Sequence, residues 1–473
     1  MQTTGRGRLP YVNKDYESIR EELLSRIPQL TDRWTDFNAS DLGVVLLELF
    51  LGIADMLAYY VDAQAAECYL PTARQRQNII NLCSLIDYRL HGPVAATTRL
   101  AFTLAQPQTE DIVIPAGTAV RAPDAVTPVP FVTARDLTIT AGSTQGEVGA
   151  VQGETVSEAF TGTGTPVARI TLARTDIAHG SVKIKVAGTE WHEVEHFVDS
   201  SSLDTHFRLE IDSLDRVFIT FGDGRYGAYP QAGSSIEVSY LVTLGPDGNL
   251  APHRITELVS LIYTSDNVQM SVSVDNPISA TGGAERESTD HAKSTAPAVL
   301  RSTWKAVTRD DYTALCLAFP GIAKARVMDI NDDPNLRIYT VRICIAPEGG
   351  GVPSPILKEQ LTTYLEARRL LTIDAGIVDP VYVPVDVSAL LYTYPGQDVQ
   401  AVKRRAIDAL EKKFAFDAQD FGSRVYLSDL VALLDGVEGV SHVVLREPVH
   451  DITPGFREIP VIGTVTLDAQ VVR

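Results

Sequence analysis

The chain has 473 residues, of which 45% are apolar and 21% are charged, and its formal net charge is −19 at pH 7. This is the composition of an ordinary globular protein, and the length suggests about three domains, each with its own core. Because an acidic surface repels phosphate groups, we predict neither a nucleic-acid partner nor an anionic membrane partner.

The cysteines and the N-terminus suit a reducing compartment. No C-x-x-C pair occurs, and each cysteine stands in an apolar context, as free buried thiols usually do (Cys68, Cys83, Cys316 and Cys344). The first 20 residues, "MQTTGRGRLPYVNKDYESIR", contain no apolar core, so no signal peptide is predicted.

Residues 1–93 are predicted to form an N-terminal helical bundle segment. The first helix is expected from about Asn13, a plausible N-cap. The second and longest helix is expected to start near Asn38. A third helix follows, because Thr72 and Gln75 have the spacing of a capping box, and it is expected to end at "HGP".

The long helix carries four acids at seven-residue intervals, while most of its remaining surface between residues 42 and 61 is apolar. A straight helix drifts only about 20° per heptad, so the acids form one narrow stripe. A helix that is apolar nearly all round must be buried nearly all round, and two neighbouring helices can hardly cover it. We therefore predict a docking surface for other chains, with Leu46, Leu49, Phe50, Ile53, Leu57, Tyr60, Asp41, Glu48, Asp55 and Asp62 as candidate interface residues.

Two alternatives concern the same helix. It could be the centre of a self-contained bundle, with its acids simply solvated. It could also cross a membrane, but Glu48 and Asp55 interrupt residues 42–61, and a spanning helix needs about 20 mostly apolar residues. We predict that this helix does not cross a membrane.

Residues 94–247 are predicted to form a central all-β domain, because short β-rich runs alternate with Pro and Gly turns. One stretch, residues 141–166, is rich in Gly, Thr and Ser and lacks long apolar side chains. We expect it to be an exposed loop or a loosely packed excursion of the sheet.

Residues 248–305 are expected to be a connector, and residues 306–473 a C-terminal α+β region of small βαβ type. The predicted elements of this last region include a helix from Thr308 to Phe319 and a long strand over "IVDPVYVPVDVSALLYTY" (377–394). The fold class is therefore multidomain α+β.

The sequence "GDGRYG" (222–227) matches the G-x-G-x-x-G pattern of dinucleotide-binding loops. Such a loop needs a helix after it, because the helix N-terminus holds the pyrophosphate. Here Pro230 and Gly233 leave no room for a helix, and Ile236 to Val242 alternate as a strand. We interpret Asp223-Gly224 as a tight turn between strands, with Arg225 and Tyr226 at its tip as candidate contacts to another subunit.

The sequence "HEVEH" (192–196) matches the H-E-x-x-H motif of zinc hydrolases, in which Glu193 would be the general base. The motif needs a helix, whereas residues 191–198 alternate as a strand. In a strand His192 and His196 would lie about 13 Å apart, which is too far for one metal ion. A zinc hydrolase stays as the weaker alternative.

A possible calcium loop, "DINDDP" (329–334), has Pro334 where such a loop requires Gly and Thr340 where it requires Glu. We interpret it as a polar turn. Since no nucleophile elbow or phosphate loop is present either, we predict that the chain is not an enzyme and has no metal and no cofactor.

Six segments together resemble the baseplate J-like wedge proteins of contractile phage tails and related injection systems. In chain order they are "DFNASDLGVVLLELFLGIADMLAYYVD" (36–62), "NIINLCSLIDYRL" (78–90), "VIPAGT" (113–118), "FGDGRYGAYPQAGSSIEVSY" (221–240), "GGAERES" (282–288) and "APAVLRSTWKAVTRDDYTAL" (296–315).

The resemblance implies a structural subunit that forms dimers, with itself or with a paralogous wedge protein. It implies that the dimers surround the central hub and tube, that they couple to the sheath, and that the N-terminal helices bundle with other wedge proteins. It further implies that residues 306–473 make contacts between subunits, and that the particle is assembled in the bacterial cytoplasm. A glycan-binding β-protein, acting through residues 94–247, is a second alternative.

Overall fold

The computed structural model describes residues 16–123, 128–212, 214–263, 268–302 and 305–472. Helix accounts for 26% of the chain and strand for 32%. An N-terminal helical segment, a central all-β region and a C-terminal α+β region are present, which confirms the predicted fold class. The chain divides into two compact units, one containing the described residues up to Leu90 with Ser288–Ala296, the other containing His91–Glu287 and the residues from Pro297 onward.

The first unit contains three helices before Leu90: α1 (Tyr16–Leu30), α2 (Leu42–Glu67) and α3 (Arg76–Leu85). The predicted cap Asn13 lies outside the described residues. Helix α2 begins at Leu42 rather than near Asn38, because the Asp41 carboxylate accepts the amide hydrogens of Gly43 and Val44 at 2.9 and 3.2 Å. The Asn38 side chain instead donates to Asp36.

The predicted capping box of α3 is wrong. Gln75 is the N-cap but makes no side-chain capping bond, and the Thr72 hydroxyl donates to the carbonyl of Ala66 at 2.7 Å. The carboxylate of Glu67, at the end of α2, accepts the amide hydrogens of Arg74 and Gln75 instead. The helix also ends before "HGP", at Leu85, since Asp87 has a left-handed φ of 63°.

The β-rich part runs from Thr97 to Asp275 and consists, in its described residues, of β1 (Thr97–Leu104), β2 (Ile112–Ile114), β3 (Ala119–Ala122), β4 (Val129–Thr133), β5 (Leu137–Ile139), β6 (Gln145–Gln152), β7 (Glu154–Thr161), β8 (Arg169–Thr171), β9 (Lys183–Val186), β10 (Thr189–Glu193), β11 (His206–Ile211), β12 (Val217–Phe221), β13 (Ser235–Val242), β14 (Glu257–Leu258), β15 (Ile262–Tyr263), β16 (Gln269–Met270) and β17 (Val272–Asp275).

Two large sheets organise these strands. The first has the order β14-β3-β4-β6-β1-β17, and its core includes Leu100, Phe102 and Phe131. The second has the order β7-β13-β9-β10-β11-β12-β8, and its core includes Trp191 and Tyr240. Apolar side chains alternate along strands such as β1 and β13, so each sheet buries one face.

The Gly- and Ser-rich stretch 141–166 is not the exposed loop that its composition indicates. It forms β6 in the first sheet and β7 in the second, joined at Gly153. Its glycines leave room for neighbours, because a β-carbon at Gly149 would lie 2.6 Å from Ile356 Cδ1. The small residues therefore allow close packing, here of the strand against the side chain of Ile356, rather than looseness.

Residues 248–305, expected to be a connector, contribute strands to the first sheet. Strand β14 pairs with β3, and β17 pairs antiparallel with β1. Helix α4 (Thr289–Ser302) follows and contains Pro297.

The C-terminal region after Thr308 contains α5 (Arg309–Ala318), β18 (Ile322–Met328), β19 (Thr340–Pro347), α6 (Pro355–Glu366), β20 (Asp374–Val378), β21 (Val381–Thr393), α7 (Val399–Lys413), α8 (Leu427–Asp435), β22 (Val440–Glu447) and β23 (Glu458–Val471). Strands β19 and β20 pair in parallel around α6, as a βαβ unit requires.

The long strand predicted over 377–394 is wrong in one respect. Pro380 interrupts it, and the two halves, β20 and β21, belong to different three-stranded sheets. The sheet β22-β21-β23 buries Val385, Val387 and Leu391 against α7 and α8 on one face.

Candidate functional site

Helix α2 is covered on one side only. Val44 and Leu51 are its fully buried residues, and the Arg20 guanidinium of α1 lies 3.5 Å from the Glu48 carboxylate. At about 100° per residue, Val44, Leu51 and the acids Asp41, Glu48, Asp55 and Asp62 fall within one arc of about 80°. The acidic stripe and the covered side are therefore the same side of the helix.

The opposite side of α2 is apolar and exposed. Leu49, Phe50 and Tyr60 are 64%, 68% and 65% exposed. Together with them, the exposed apolar residues Leu42, Val45, Leu46, Ile53, Met56, Leu57 and Val61 form a continuous surface, which we call the α2 face. An exposed apolar surface of this extent is typical of interaction sites.

Two of the acids, Asp41 and Glu48, have distinct local roles. Asp41 caps the helix and also accepts a hydrogen bond from Trp34 Nε1 at 3.1 Å. Glu48 forms the ion pair with Arg20, while Asp55 is exposed. A role of these acids in partner binding stays a prediction.

By length and composition, α2 could cross a membrane, the one helix among the described residues that could. Its most apolar window has a mean hydropathy of 1.9, and 11% of that window is buried. A spanning orientation would place Glu48, Asp55 and Asp62 at membrane depth, where carboxylates are costly. That α2 packs against protein rather than lipid stays a prediction.

The "GDGRYG" stretch forms a tight turn. Gly224 and Gly227 have φ values of 87° and 84°, and the Gly224 amide donates to the Gly227 carbonyl at 2.9 Å. The Asp223 carboxylate accepts the amide hydrogens of Arg225 and Tyr226 at 2.8 and 2.6 Å, and these bonds hold the pKa of Asp223 below its usual range. The structure places Arg225 and Tyr226 at the tip, as expected.

The turn does not join neighbouring strands, however. In the second sheet β12 pairs with β11 and β8, whereas β13 pairs with β9 and β7. The tight turn thus lies between two strands, β12 and β13, as expected, but these strands are not neighbours because residues 222–234 carry the chain across the sheet.

The "HEVEH" stretch starts in a strand, as predicted, but leaves it early. Strand β10 ends at Glu193, and His192 lies opposite His206 in the parallel pairing of β10 with β11. Residues 194–198 lie outside the strand, so the expected alternation up to residue 198 is wrong there.

The acidic turn at 329–334 is organised by arginine. Arg309 Nε donates to the Asp329 carboxylate at 2.9 Å, and the Arg309 guanidinium lies 3.0 Å from Asp332. The Arg309 guanidinium holds the pKa of Asp329 below its usual range. Across the described ranges, no group of three or more His, Cys, Asp or Glu side chains is placed to hold a metal ion.

The second sheet also carries a pocket that no sequence motif marks. A pocket of about 440 Å³ lies beside the "GDGRYG" turn and is lined by residues of separate segments, including Val167, Phe197, Arg208, Thr220 and Tyr226. Since these residues are up to sixty positions apart and match no motif, no local signal could have revealed them.

Three family models match the chain in order. The model of the bacteriophage baseplate protein N-terminal domain matches residues 15–85, which contain α2. The model of the baseplate J-like central domain matches residues 305–377, and that of the baseplate J-like protein C-terminal domain matches residues 385–468. No curated protein matches the sequence significantly.

Two solved structures are distantly similar. A cryo-EM structure of the anti-feeding prophage (AFP) baseplate, 6-fold symmetrised, has 14% identity and a TM-score of 0.34, over 97% of this chain and 95% of that one. The type VI secretion system TssK-TssF-TssG baseplate subcomplex has 10% identity and a TM-score of 0.29, over 71% of this chain and 96% of that one.

The matched segments thus include the helix with the exposed face, the βαβ unit and the C-terminal sheet with its two helices. With family models matching its N-terminal, central and C-terminal parts in that order, the chain belongs to the baseplate J-like proteins of contractile phage tails and related injection systems.

Proposed function

We propose that this chain is a wedge subunit of a baseplate, and that helices of other baseplate proteins cover its α2 face. The observation that carries this proposal is the exposure of ten large apolar side chains on one side of a 26-residue helix. In this proposal the chain has no catalytic role, and it joins the particle in the bacterial cytoplasm.

The energetic case rests on apolar burial. Fully burying a Leu, Ile or Phe side chain contributes about 1.5–3 kcal/mol. Association costs roughly 4–15 kcal/mol in lost freedom, so several such residues must be buried together for stable binding. The α2 face offers enough of them, at positions such as Leu46, Leu49, Phe50, Ile53 and Leu57.

The shape and charge of α2 indicate the kind of partner. The helix is about 39 Å long at 1.5 Å per residue, so another long helix can lie along it. Because the acidic stripe lies on the side of Val44 and Leu51, the α2 face itself is uncharged, and we infer an apolar partner helix rather than a basic one.

Arginine substitutions test this docking. Leu46→Arg and Leu57→Arg each place a charge on the α2 face, and burying it unpaired would cost several kcal/mol. We expect both variants to fold, since the positions are exposed in the chain alone, and to be absent from purified baseplates. Leu214→Arg, at an exposed turn of the second sheet, is the matched control and should be incorporated normally.

Two outcomes would count against the proposal. Normal incorporation of Leu46→Arg and Leu57→Arg would mean that no partner covers the α2 face. Flotation of the purified chain with phosphatidylcholine vesicles, abolished by the same substitutions, would mean that the face enters lipid instead.

We further propose that residues 306–473 form the dimer contact, either with a second copy or with a paralogous wedge protein, and that the dimers surround the hub and tube and couple to the sheath. This proposal draws on the sheet β22-β21-β23, whose face opposite α7 and α8 carries the exposed Val444 beside Leu390. Val444→Arg should lower the dimer fraction of the full chain in analytical ultracentrifugation. An unchanged sedimentation profile would place the dimer contact elsewhere.

A further inference from the structure

The pocket beside the "GDGRYG" turn lies on β11 and β12. Arg208 and Thr220 face each other across these strands, on the side opposite to the core residues Phe207 and Ile219. The pocket volume of about 440 Å³ falls within the range of about 300–1,000 Å³ that is common for small-molecule sites.

The pocket walls are held in place without a ligand. The loop that carries Phe197 and the turn that carries Tyr226 are joined by backbone hydrogen bonds, from Gly227 to Ser201 at 3.1 Å and from Ala228 to Asp204 at 2.9 Å. Phe197 also packs against Gly227, where a β-carbon would lie 3.1 Å from its ring. The two walls of the pocket are therefore in place before any ligand binds.

The floor of the pocket carries polar atoms that lack partners. Thr220 is only 9% exposed, and within the described part of the chain neither its hydroxyl nor Arg208 Nε has a hydrogen-bond partner. A buried polar group without a partner costs free energy, so an occupant toward which the Thr220 and Arg208 side chains turn, giving each atom a partner, would be favoured.

The charges in the pocket restrict the chemistry of that occupant. Two carboxylates line the pocket together with Arg208. Glu210 lies 3.9 Å from the Arg208 guanidinium but is paired with Arg169 at 2.9 Å, and Asp223 lies at the pocket wall. Both bonds to the Asp223 carboxylate end on Oδ1, so Oδ2 can accept a hydrogen bond from a ligand. Since Glu210 is paired with Arg169, the charges of Arg208 and Asp223 balance and the pocket has no net charge to attract an ionic ligand. A purely apolar ligand would leave Thr220 unpaired.

We propose that this pocket binds a neutral sugar residue. Hydroxyl groups of a sugar can accept from Arg208 Nε, donate to Asp223 and exchange a hydrogen bond with Thr220. The rings of Phe197 and Tyr226 provide the apolar wall against which the C–H face of a pyranose can lie. The site is separate from the α2 face, so the two proposals can fail independently.

The test uses the purified full-length chain and the neutral methyl glycosides of glucose, galactose, mannose and N-acetylglucosamine, at millimolar concentrations, with saturation-transfer NMR and calorimetry. At least one glycoside should bind. Thr220→Val keeps the side-chain shape but removes the hydroxyl, so it should weaken that binding about threefold to tenfold. It should not lower the Tm, because it removes a buried unpaired hydroxyl.

Tyr226→Ala should reduce binding below detection, because the apolar wall is lost. Thr171→Val on β8, outside the pocket lining, is the matched control and should bind like the wild type. Absence of binding by all four glycosides would overturn the proposal, as would equal binding by the Thr220→Val and Tyr226→Ala variants. Failure of Tyr226→Ala to enter baseplates, without any glycoside binding, would assign the pocket to a protein side chain instead.

Discussion

The indole ring of Trp34 lies against Gly43, in the first turn of α2. A β-carbon at Gly43 would lie 2.8 Å from Trp34 Cε2, while Trp34 Nε1 donates to the Asp41 carboxylate at 3.1 Å. The segment before the helix is therefore packed onto the helix start, and the residue that caps α2 is held by the same indole. Glycine at position 43 makes this arrangement possible.

Gly43→Ala should destabilise the start of α2 by about 1–3 kcal/mol, because the added methyl group displaces the indole. The usual effect is opposite, since replacing glycine by alanine inside a helix stabilises it by about 0.5–1 kcal/mol. Gly52→Ala, in the same helix and with no atom within 4 Å of the new β-carbon, is the control and should show the usual gain. Hydrogen exchange of the α2 amides measures both effects; a gain for Gly43→Ala would contradict the packing role of Trp34.

Gly153, between β6 and β7, should also resist substitution. Its φ is 143°, and a β-carbon there would lie 2.9 Å from the carbonyl oxygen of Val242, which is backbone and cannot move aside. Gly153→Ala should therefore cost about 1–3 kcal/mol in urea unfolding. Gly142→Ala shares the positive φ but has open space around it, so it should cost less. Equal costs would show that the contact with Val242 is unimportant.

The cysteines should differ sharply in reactivity. Contrary to the expectation from its apolar sequence context, Cys68 is exposed, whereas Cys83, Cys316 and Cys344 are buried, and burial raises the pKa of the Cys316 and Cys344 thiols to about 12. Since the thiolate is the reactive form, one thiol per chain should react quickly with a disulfide reagent at pH 8, and four after unfolding. Two or more fast thiols in the folded chain would contradict the burial.

The buried thiols of Cys316 and Cys344 also predict how the stability of the fold changes as the pH rises. Their pKa in the folded chain lies above the value of about 8.5 of an unfolded thiol, so their stabilising contribution is complete below about pH 8.5. It is lost progressively as the pH rises from there toward 12. Urea unfolding at increasing pH should therefore show falling stability in this window, and less so in a Cys316→Ala, Cys344→Ala double variant.

The features of α2 could be predicted because they are local. The sequence shows a helix that is apolar nearly all round, apart from acids at every seventh position. Such a helix needs more neighbouring apolar surface than this chain alone provides. The start of α2 is harder to predict, since both Asn38 and Asp41 are good N-caps and the choice depends on where the Trp34 indole lies.

Features that depend on distant residues could not be predicted. From the sequence alone, the glycines of 141–166 indicate a loosely packed segment. In the fold, the side chain of Ile356, about two hundred residues later, occupies the space next to Gly149. Likewise, the turn at Asp223-Gly224 is a local property, but the pairing of β12 with β11 and β8 depends on the order of a whole sheet. The sugar pocket beside it combines side chains that no spacing rule connects.

The central claim, that partner helices cover the α2 face in the baseplate, is tested most directly by hydroxyl-radical footprinting. Phe50, Met56 and Tyr60 are exposed on that face in the chain alone and should be oxidised readily there. In assembled baseplates their oxidation should fall several-fold, relative to the other exposed aromatic residues of the same chain. Oxidation of these three residues at the rate of the free chain would contradict the claim.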